Sequence, residues 1–126
     1  MRVLALGLLL GFASHALAAD PVEAGRAAFK RCANCHQVGP GARSNFGPQL
    51  NGIIGRRAGA ATDFAYSPAM KKAGFVWDER RLAAFLRDPD AVVPGNRMRF
   101  WNMMSDRQLR DLVAYLRSVP PAPARR

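Results

Sequence analysis

Apolar residues recur at helical spacing near the C-terminal end of the chain, where a stripe is formed by Leu109, Leu112, Val113 and Leu116. Residues three and four positions apart share one face of an α-helix, so the stripe predicts a helix with one buried side. Ser105 and Gln108 precede it in the pattern of a capping box. We therefore predict that this helix begins just after Ser105.

A second helix is predicted to begin near residue 21. Asp20-Pro21 has the pattern of an N-cap followed by proline at the first helical position. The helix should run from about residue 22 to residue 30 or 32, with Gly25 and Phe29 four positions apart on one face. Because glycine inside a helix costs about 1 kcal/mol relative to alanine, Gly25 indicates close packing against another helix.

Two shorter helices are predicted in the middle of the chain. Ser67-Pro68 repeats the N-cap and proline pattern, and Gly74 would end that helix. Asp78 is the N-cap candidate of a helix over residues 79–87, which Pro89 should stop.

Two long stretches lack any apolar periodicity, residues 38–51 and residues 88–100. Both contain glycine, proline and asparagine, which favour loops and turns, and a brief turn is predicted at 51–55. Loops of this length are uncommon in a compact domain unless they enclose something. We therefore predict an all-α fold in which short helices and long loops surround a bound group.

The N-terminus has the pattern of a secretory signal peptide. Arg2 is followed by an apolar run over residues 3–13 and by the small residues Ala16 and Ala18 of a cleavage site. Eleven apolar residues are too few to span a bilayer as a helix. We expect cleavage after Ala18 or Ala19 and a periplasmic protein without stable membrane insertion. The predicted organisation is a cleaved signal peptide (1–19), one domain (20–119) and a disordered tail (120–126).

The chain is strongly basic: 16 arginines and three lysines against nine acidic residues give a formal net charge of +10. Such a charge favours acidic proteins, nucleic acid or anionic lipid as partners. Because export argues against nucleic acid, we expect protein partners with acidic docking surfaces and no nucleic-acid partner.

The chemistry of the chain centres on Cys32-Ala33-Asn34-Cys35-His36. A C-x-x-C-H segment is typical of covalent haem attachment. Each thiol can add to one vinyl group of the same porphyrin, and the histidine then stands at one axial face of the iron. The motif therefore predicts one haem c, bound through Cys32 and Cys35.

Three other interpretations of this motif are weaker. A thioredoxin-like redox pair should lie on a βαβ unit, but the chain has only two isoleucines and one threonine and is a poor sheet former. A structural zinc site needs four ligands, and the only other cysteine or histidine is His15, in the predicted signal peptide. A packing role for the thiols leaves the adjacent His36 unexplained.

The chain resembles the class I cytochromes c, small soluble electron carriers, from about Asp20 to Val119. Besides the cysteine motif, the resemblance rests on six segments in the order and spacing of that family: Gly47-Pro48-Gln49-Leu50, Gly55-Arg56-Arg57, Phe64-Ala65-Tyr66-Ser67, Trp77, Pro94-Gly95-Asn96-Arg97-Met98 and Leu112-Val113-Ala114-Tyr115-Leu116. It implies a cytochrome c fold and a soluble carrier that is not an enzyme.

The resemblance also implies residue roles. His36 and Met98 would be the axial iron ligands, and the carbonyl of Pro48 would bond the far imidazole nitrogen of His36. The haem propionates would be bound by Arg56, Tyr66 and Trp77, and Phe100 would cover the exposed haem edge. Gly25 and Phe29 would pack on Leu112 and Tyr115, where the first and last helices cross.

Three positions depart from the family pattern: Phe85 replaces a common tyrosine, Met70 a frequent asparagine, and Trp101-Asn102 a usual Ala-Gly pair. For the sixth ligand, Met98 is preferred because it follows the irregular Pro94-Gly95 segment. Met103 and Met104 are the main alternatives, and Met70 is a weaker one.

The function implied is electron transfer between a quinol-oxidising complex and a terminal oxidase or photosynthetic reaction centre, by a monomer. Two alternatives stay open: a haem c subunit of a periplasmic oxidoreductase, and a haem sensor with a labile methionine ligand. Positive charge for docking would come from Arg31, Arg43, Arg97 and Arg99, diluted by Asp88 and Asp90.

Overall fold

Five helices make up the regular structure of the computed structural model, which describes residues 17–101 and 103–123. They are α1 (Pro21–Phe29), α2 (Pro68–Lys72), α3 (Glu79–Arg87), α4 (Pro89–Val92) and α5 (Asp106–Ser118). Over the same residues, β pairing is limited to an isolated bridge between Arg57 and Val76. The all-α prediction is therefore confirmed. Most of the predicted signal peptide lies outside the described residues.

The first and last helices begin and cross as their sequences predict. Asp20 accepts the backbone N–H of Val22 at 2.8 Å, and Ser105 forms both bonds of the capping box with Gln108. Where α1 crosses α5, Gly25 lies against the backbone carbonyl of Asp111. The rings of Phe29 and Tyr115 lie 5.6 Å apart there.

The two middle helices also begin at the predicted caps. Ser67 Oγ accepts the N–H of Met70 at 3.1 Å, and Asp78 Oδ1 accepts that of Arg81 at 2.6 Å. The apolar side of α3 is buried and contributes Leu82, Phe85 and Leu86 to the core. This core joins the two middle helices to the crossing of α1 and α5.

The sequence predicts that residues 88–100 are irregular throughout. In the structure this stretch instead begins with the one-turn helix α4. Asp88 ends α3 and also caps α4, accepting the N–H of Ala91 at 3.1 Å. Pro89 stops α3 but occupies the first turn of α4, where its missing N–H costs nothing. The same dipeptide thus ends one helix and starts another, which the prediction missed.

The other long stretch, residues 38–51, is irregular as predicted and is stabilised by side chains. The buried Asn51 amide accepts the N–H of Gly39 at 2.7 Å and donates to its carbonyl at 2.9 Å. Ser44 Oγ donates to Asp63 Oδ1 at 2.8 Å and ties this loop to the next one. Pro121 lies against Gly52. None of the helices in the described part of the chain is long and apolar enough to cross a membrane.

Candidate cofactor site

A cavity of about 410 Å³ lies between the helices and the two long loops. Its wall contains every residue that the sequence predicts for the cofactor: Cys32, Cys35, His36, Pro48, Arg56, Tyr66, Trp77, Met98 and Phe100. Much of the remaining wall is apolar and comes from Leu50, Ile53, Leu82, Phe85, Leu86 and Leu112. The fold thus brings residues from widely separated segments onto one apolar cavity.

The two cysteines reach this wall from a turn that continues α1. The N–H groups of Cys35 and His36 both donate to the carbonyl of Cys32, at 3.0 and 2.9 Å. The two cysteines form no disulfide with each other, and Cys32 is buried whereas Cys35 is exposed. Burial, with a smaller contribution from Cys35, raises the pKa of the Cys32 thiol to about 11. The turn therefore places two sulfurs and an imidazole on the same wall.

The ring of His36 is oriented by the Gly47-Pro48 segment. Its Nδ1 lies 2.7 Å from the carbonyl oxygen of Pro48. Because a carbonyl only accepts, Nδ1 carries the proton and Nε2 keeps its lone pair. Burial lowers the pKa of the His36 imidazole, which favours this neutral form. His36 is thus prepared to bind a metal through Nε2.

A polar region of the wall contains Arg56, Tyr66 and Trp77. The Arg56 guanidinium donates to the carbonyls of Gln49 at 2.7 Å and Asn51 at 3.3 Å. The negative charge of Asp63 acts on this guanidinium and favours its charged form. Burial lowers the pKa of Arg56 and raises that of Tyr66. A half-buried guanidinium on the wall suits the carboxylate groups of a bound cofactor, because it offers charged N–H donors where water is scarce.

The cavity separates the methionines into two groups. Met98 and Met70 lie on its wall. Met104 is buried in the hydrophobic core away from this wall, and Met103 is 84% exposed. As a sulfur ligand inside the cavity, Met70 is therefore a better alternative to Met98 than either Met103 or Met104, contrary to the order that the sequence suggested.

The sequence analysis missed the importance of Asn96, which is only 3% exposed on the wall of the cavity. Its amide bonds Asp90, Val93 and the backbone of Met98. An asparagine after Pro94-Gly95 is a signal for local side-chain to backbone bonding. Its burial, however, depends on how the loop folds back on α4.

Aromatic side chains lie on the cavity wall and next to it. Phe100 is half-buried on the wall, whereas Trp101 is 87% exposed and Phe46 79% exposed. Phe46 is a second residue that the sequence analysis did not single out. Large exposed aromatic side chains favour contact with another protein.

The residues of the cavity fit a haem. An apolar wall suits the porphyrin, two thiols suit its vinyl groups, and Arg56 suits a propionate. His36 and Met98 offer a nitrogen and a sulfur to the iron. No group of three or more His, Cys, Asp or Glu side chains able to hold a metal ion occurs within residues 17–101 and 103–123.

Comparisons with known proteins agree with this assignment. The family model described as Cytochrome c matches residues 22–120. The chain is 42% identical to cytochrome c2 of Blastochloris viridis over 118 residues, 93% of each chain. It is 50% identical to cytochrome c2 of Agrobacterium tumefaciens (strain II Chrys) over 98 residues, which is 75% of this chain and 88% of that one. The structure of cytochrome c2 from Rhodospirillum centenum superimposes with a TM-score of 0.73 at 34% identity, covering 82% of this chain and all of that one.

Proposed function

This chain belongs to the cytochrome c family and carries one haem c bound covalently through Cys32 and Cys35, and we propose that it is a soluble periplasmic electron carrier and not an enzyme. The observation that supports this most is that His36 and Met98 lie on the wall of one cavity. The haem supplies one-electron redox chemistry when bound. Its protein ligands decide whether the iron has room for a substrate.

We infer that His36 and Met98 would hold the haem iron, His36 through a ring nitrogen and Met98 through its sulfur. His36 would use Nε2, because its Nδ1 proton is donated to Pro48. A carbonyl partner of this kind fixes the ring and increases the basicity of the ligand. With both side chains as ligands the iron would have no place for a substrate, and a methionine ligand would raise its reduction potential. Both consequences suit electron transfer.

Arg56, Tyr66 and Trp77 are the proposed partners of the propionates. Arg56 supplies the positive charge and the Trp77 indole lies on the same wall, so that both groups offer N–H donors to an anion. Around them Phe75 and Phe85 pack on Trp77 with ring centroids 4.8 and 5.1 Å away. Such packing limits the movement of the donor, which keeps it directed at one place.

The proposed route of electrons runs from a quinol-oxidising complex to a terminal oxidase or photosynthetic reaction centre. The predicted signal peptide supports a periplasmic location, and the net charge of +10 supports partners with acidic docking surfaces. Phe100 is proposed to cover the haem edge at which such a partner would dock. We expect the free protein to be a monomer.

The proposal is tested on the haem-loaded protein by changing each methionine. Met98→Ala should abolish the sulfur-to-iron absorption band at the red edge of the ferric spectrum, lower the reduction potential and open the iron to carbon monoxide. Changing Met103 and Met104 together to alanine should leave the band intact. Met70→Ala should also keep the band. This variant is the closest control, because Met70 is the other methionine on the cavity wall.

Different results would contradict different parts of the proposal. A Met98→Ala variant that keeps the band while Met70→Ala loses it would make Met70 the ligand. Carbon monoxide binding to the ferrous parent protein would favour the alternative function as a haem sensor with a labile methionine ligand. Purification only as part of a larger complex would favour the alternative function as a haem c subunit of a periplasmic oxidoreductase. A mass equal to the bare polypeptide, after expression with haem-maturation machinery, would exclude covalent attachment.

A further inference from the structure

The side chain of Asn96 is buried and its hydrogen bonds all lie within the segment that carries Met98. Its Nδ2 donates to Asp90 Oδ1 at 2.9 Å and to the carbonyl of Val93 at 3.0 Å. Its Oδ1 accepts the backbone N–H of Met98 at 2.8 Å. Only 3% of Asn96 is exposed. One amide therefore connects the backbone of Met98 to α4 and to the turn after it.

The turn itself is compact and explains why Asn96 stands where it does. The N–H of Asn96 donates to the carbonyl of Val93 at 3.0 Å. Gly95 has a φ of +85° between Pro94 and Asn96, the pattern of a type II turn. The helix α4 supplies Asp90 and ends beside Val93. These short-range bonds give Asn96 a fixed base from which it reaches Met98.

Met98 itself has little other backbone support. No regular secondary structure includes residues 97–101. Within the described part of the chain, the Met98 carbonyl accepts a hydrogen bond at 3.3 Å from the exposed Arg99 guanidinium. Loss of the bond from Asn96 would leave the Met98 N–H without this partner and free the loop from α4. The position of the Met98 side chain should therefore depend strongly on the Asn96 amide.

We propose that Asn96 is a positioning residue that holds Met98 against the iron, an inference that rests on the proposed ligation by Met98. Asn96 does not itself contact the metal in this proposal. It lowers the frequency with which the loop opens, because opening breaks its buried hydrogen bonds, and a buried bond left unmade is costly. Its role is thus in how long Met98 stays bound.

The test measures how fast imidazole replaces Met98 in the ferric, haem-loaded protein, followed by the loss of the sulfur-to-iron band. Asn96→Ala should accelerate replacement about tenfold or more, since it removes the three hydrogen bonds of a buried amide. The matched control is Asn51→Ala, since Asn51 is also buried (7% exposed) and bonds both backbone groups of Gly39. That variant should lose thermal stability without faster replacement.

A second pair of variants separates positioning from loss of packing. Asn96→Asp keeps an acceptor for Met98 but places a carboxylate beside that of Asp90, and it should accelerate replacement. Adding Asp90→Asn restores a donor and acceptor pair between the two positions and should return the rate towards that of the parent protein. Because all of these side chains have nearly the same size, a purely steric role would not predict this rescue.

The outcomes distinguish the inference from the function on which it rests. If Met98→Ala keeps the band, the ligand assignment fails and the Asn96 inference fails with it. If Met98→Ala removes the band but replacement in Asn96→Ala is as slow as in Asn51→Ala, the ligand is right and the positioning role is wrong. If Asn96→Ala cannot be loaded with haem, the Asn96→Asp and Asp90→Asn pair decides, and failure of rescue contradicts the proposal.

Discussion

Gly47 lies directly against the ring of His36, and a Cβ atom on Gly47 would be 2.7 Å from Nδ1 and 2.8 Å from Nε2. The N–H of Gly47 donates to the carbonyl of Cys35 at 2.9 Å, so the glycine is also bound to the cysteine motif. The carbonyl of the next residue, Pro48, accepts a hydrogen bond from His36 Nδ1. The Gly47-Pro48 pair therefore fixes the imidazole by contact on one side and by a hydrogen bond at its edge.

Gly47→Ala should disturb this arrangement, because a methyl group overlaps the ring. We expect a loss of about 1–3 kcal/mol in the free energy of unfolding, together with a lower yield of haem-loaded protein, measured by denaturant titration and intact mass. Gly41→Ala is the control. Gly41 has a φ of +74° and no atom near its missing Cβ, so that variant should lose roughly 1–2 kcal/mol from backbone strain and load normally. Equal loading of the two variants would contradict the expectation.

Gly25→Ala tests the crossing of α1 and α5. Alanine improves helix propensity by about 1 kcal/mol, but its Cβ would overlap the Asp111 carbonyl and lie 2.7 Å from Tyr115 Cβ. We expect a net loss of roughly 1–3 kcal/mol in unfolding free energy. In the control Ala27→Gly, an exposed position of the same helix, only the propensity cost of about 1 kcal/mol should appear. A more stable Gly25→Ala variant would mean that the helices separate easily.

Arg97→Glu tests electrostatic docking, since Arg97 is exposed and lies at the rim of the cavity. Electron transfer to an acidic redox partner should slow at low salt, because steering acts mainly on the association rate. The effect should fade as salt rises, since the Debye length is about 8 Å at physiological ionic strength. Arg80→Glu changes charge equally but lies outside the cavity wall, and it should slow transfer less. Rates independent of salt would point instead to apolar docking around the exposed Trp101.

The contact between Arg87 and Asp106, with Nη2 and Oδ1 2.6 Å apart, should make stability depend on pH. The hydrogen bond and charge of Arg87 lower the pKa of Asp106 below its ordinary value of 3.8. The stabilising contribution of this contact is therefore fully present above the pKa that Asp106 has in the unfolded chain. It is lost as the pH falls through the lower pKa of Asp106 in the folded protein. Asp106→Asn should reduce the melting temperature near neutral pH, and this difference should disappear at strongly acidic pH. In an Arg87→Gln background the same change should have a smaller effect at neutral pH, and an undiminished effect would exclude Arg87 as the cause.

Local sequence was sufficient for most helix boundaries and for the cysteine motif. Asp20, Ser67, Asp78 and Ser105 cap their helices because a capping bond spans only two or three residues. Attachment of a haem likewise depends on two thiols and a histidine that are adjacent in the chain. These features depend only on residues that are close in the sequence, so they can be predicted without the tertiary fold.

The sequence misjudged the segment 88–100 because two signals with opposite meanings share the same residues. Proline is incompatible with the interior of α3 but compatible with the first turn of α4, and Asp88 serves both ends. Local pattern alone does not decide between a loop and a new helix of one turn. The packing of Val93 into the core, where it is 4% exposed, favours the helix that leads to it.

The sequence by itself determined that this chain forms short capped helices, binds haem through Cys32 and Cys35, and offers several methionines. Only the tertiary structure decided that Met98 and Met70 lie on the cavity while Met103 and Met104 do not. It also decided that Asn96 is buried against α4 and that Gly47 contacts His36. The physical reason is range: caps and attachment motifs act between near neighbours, whereas burial and contact across the cavity depend on the whole fold.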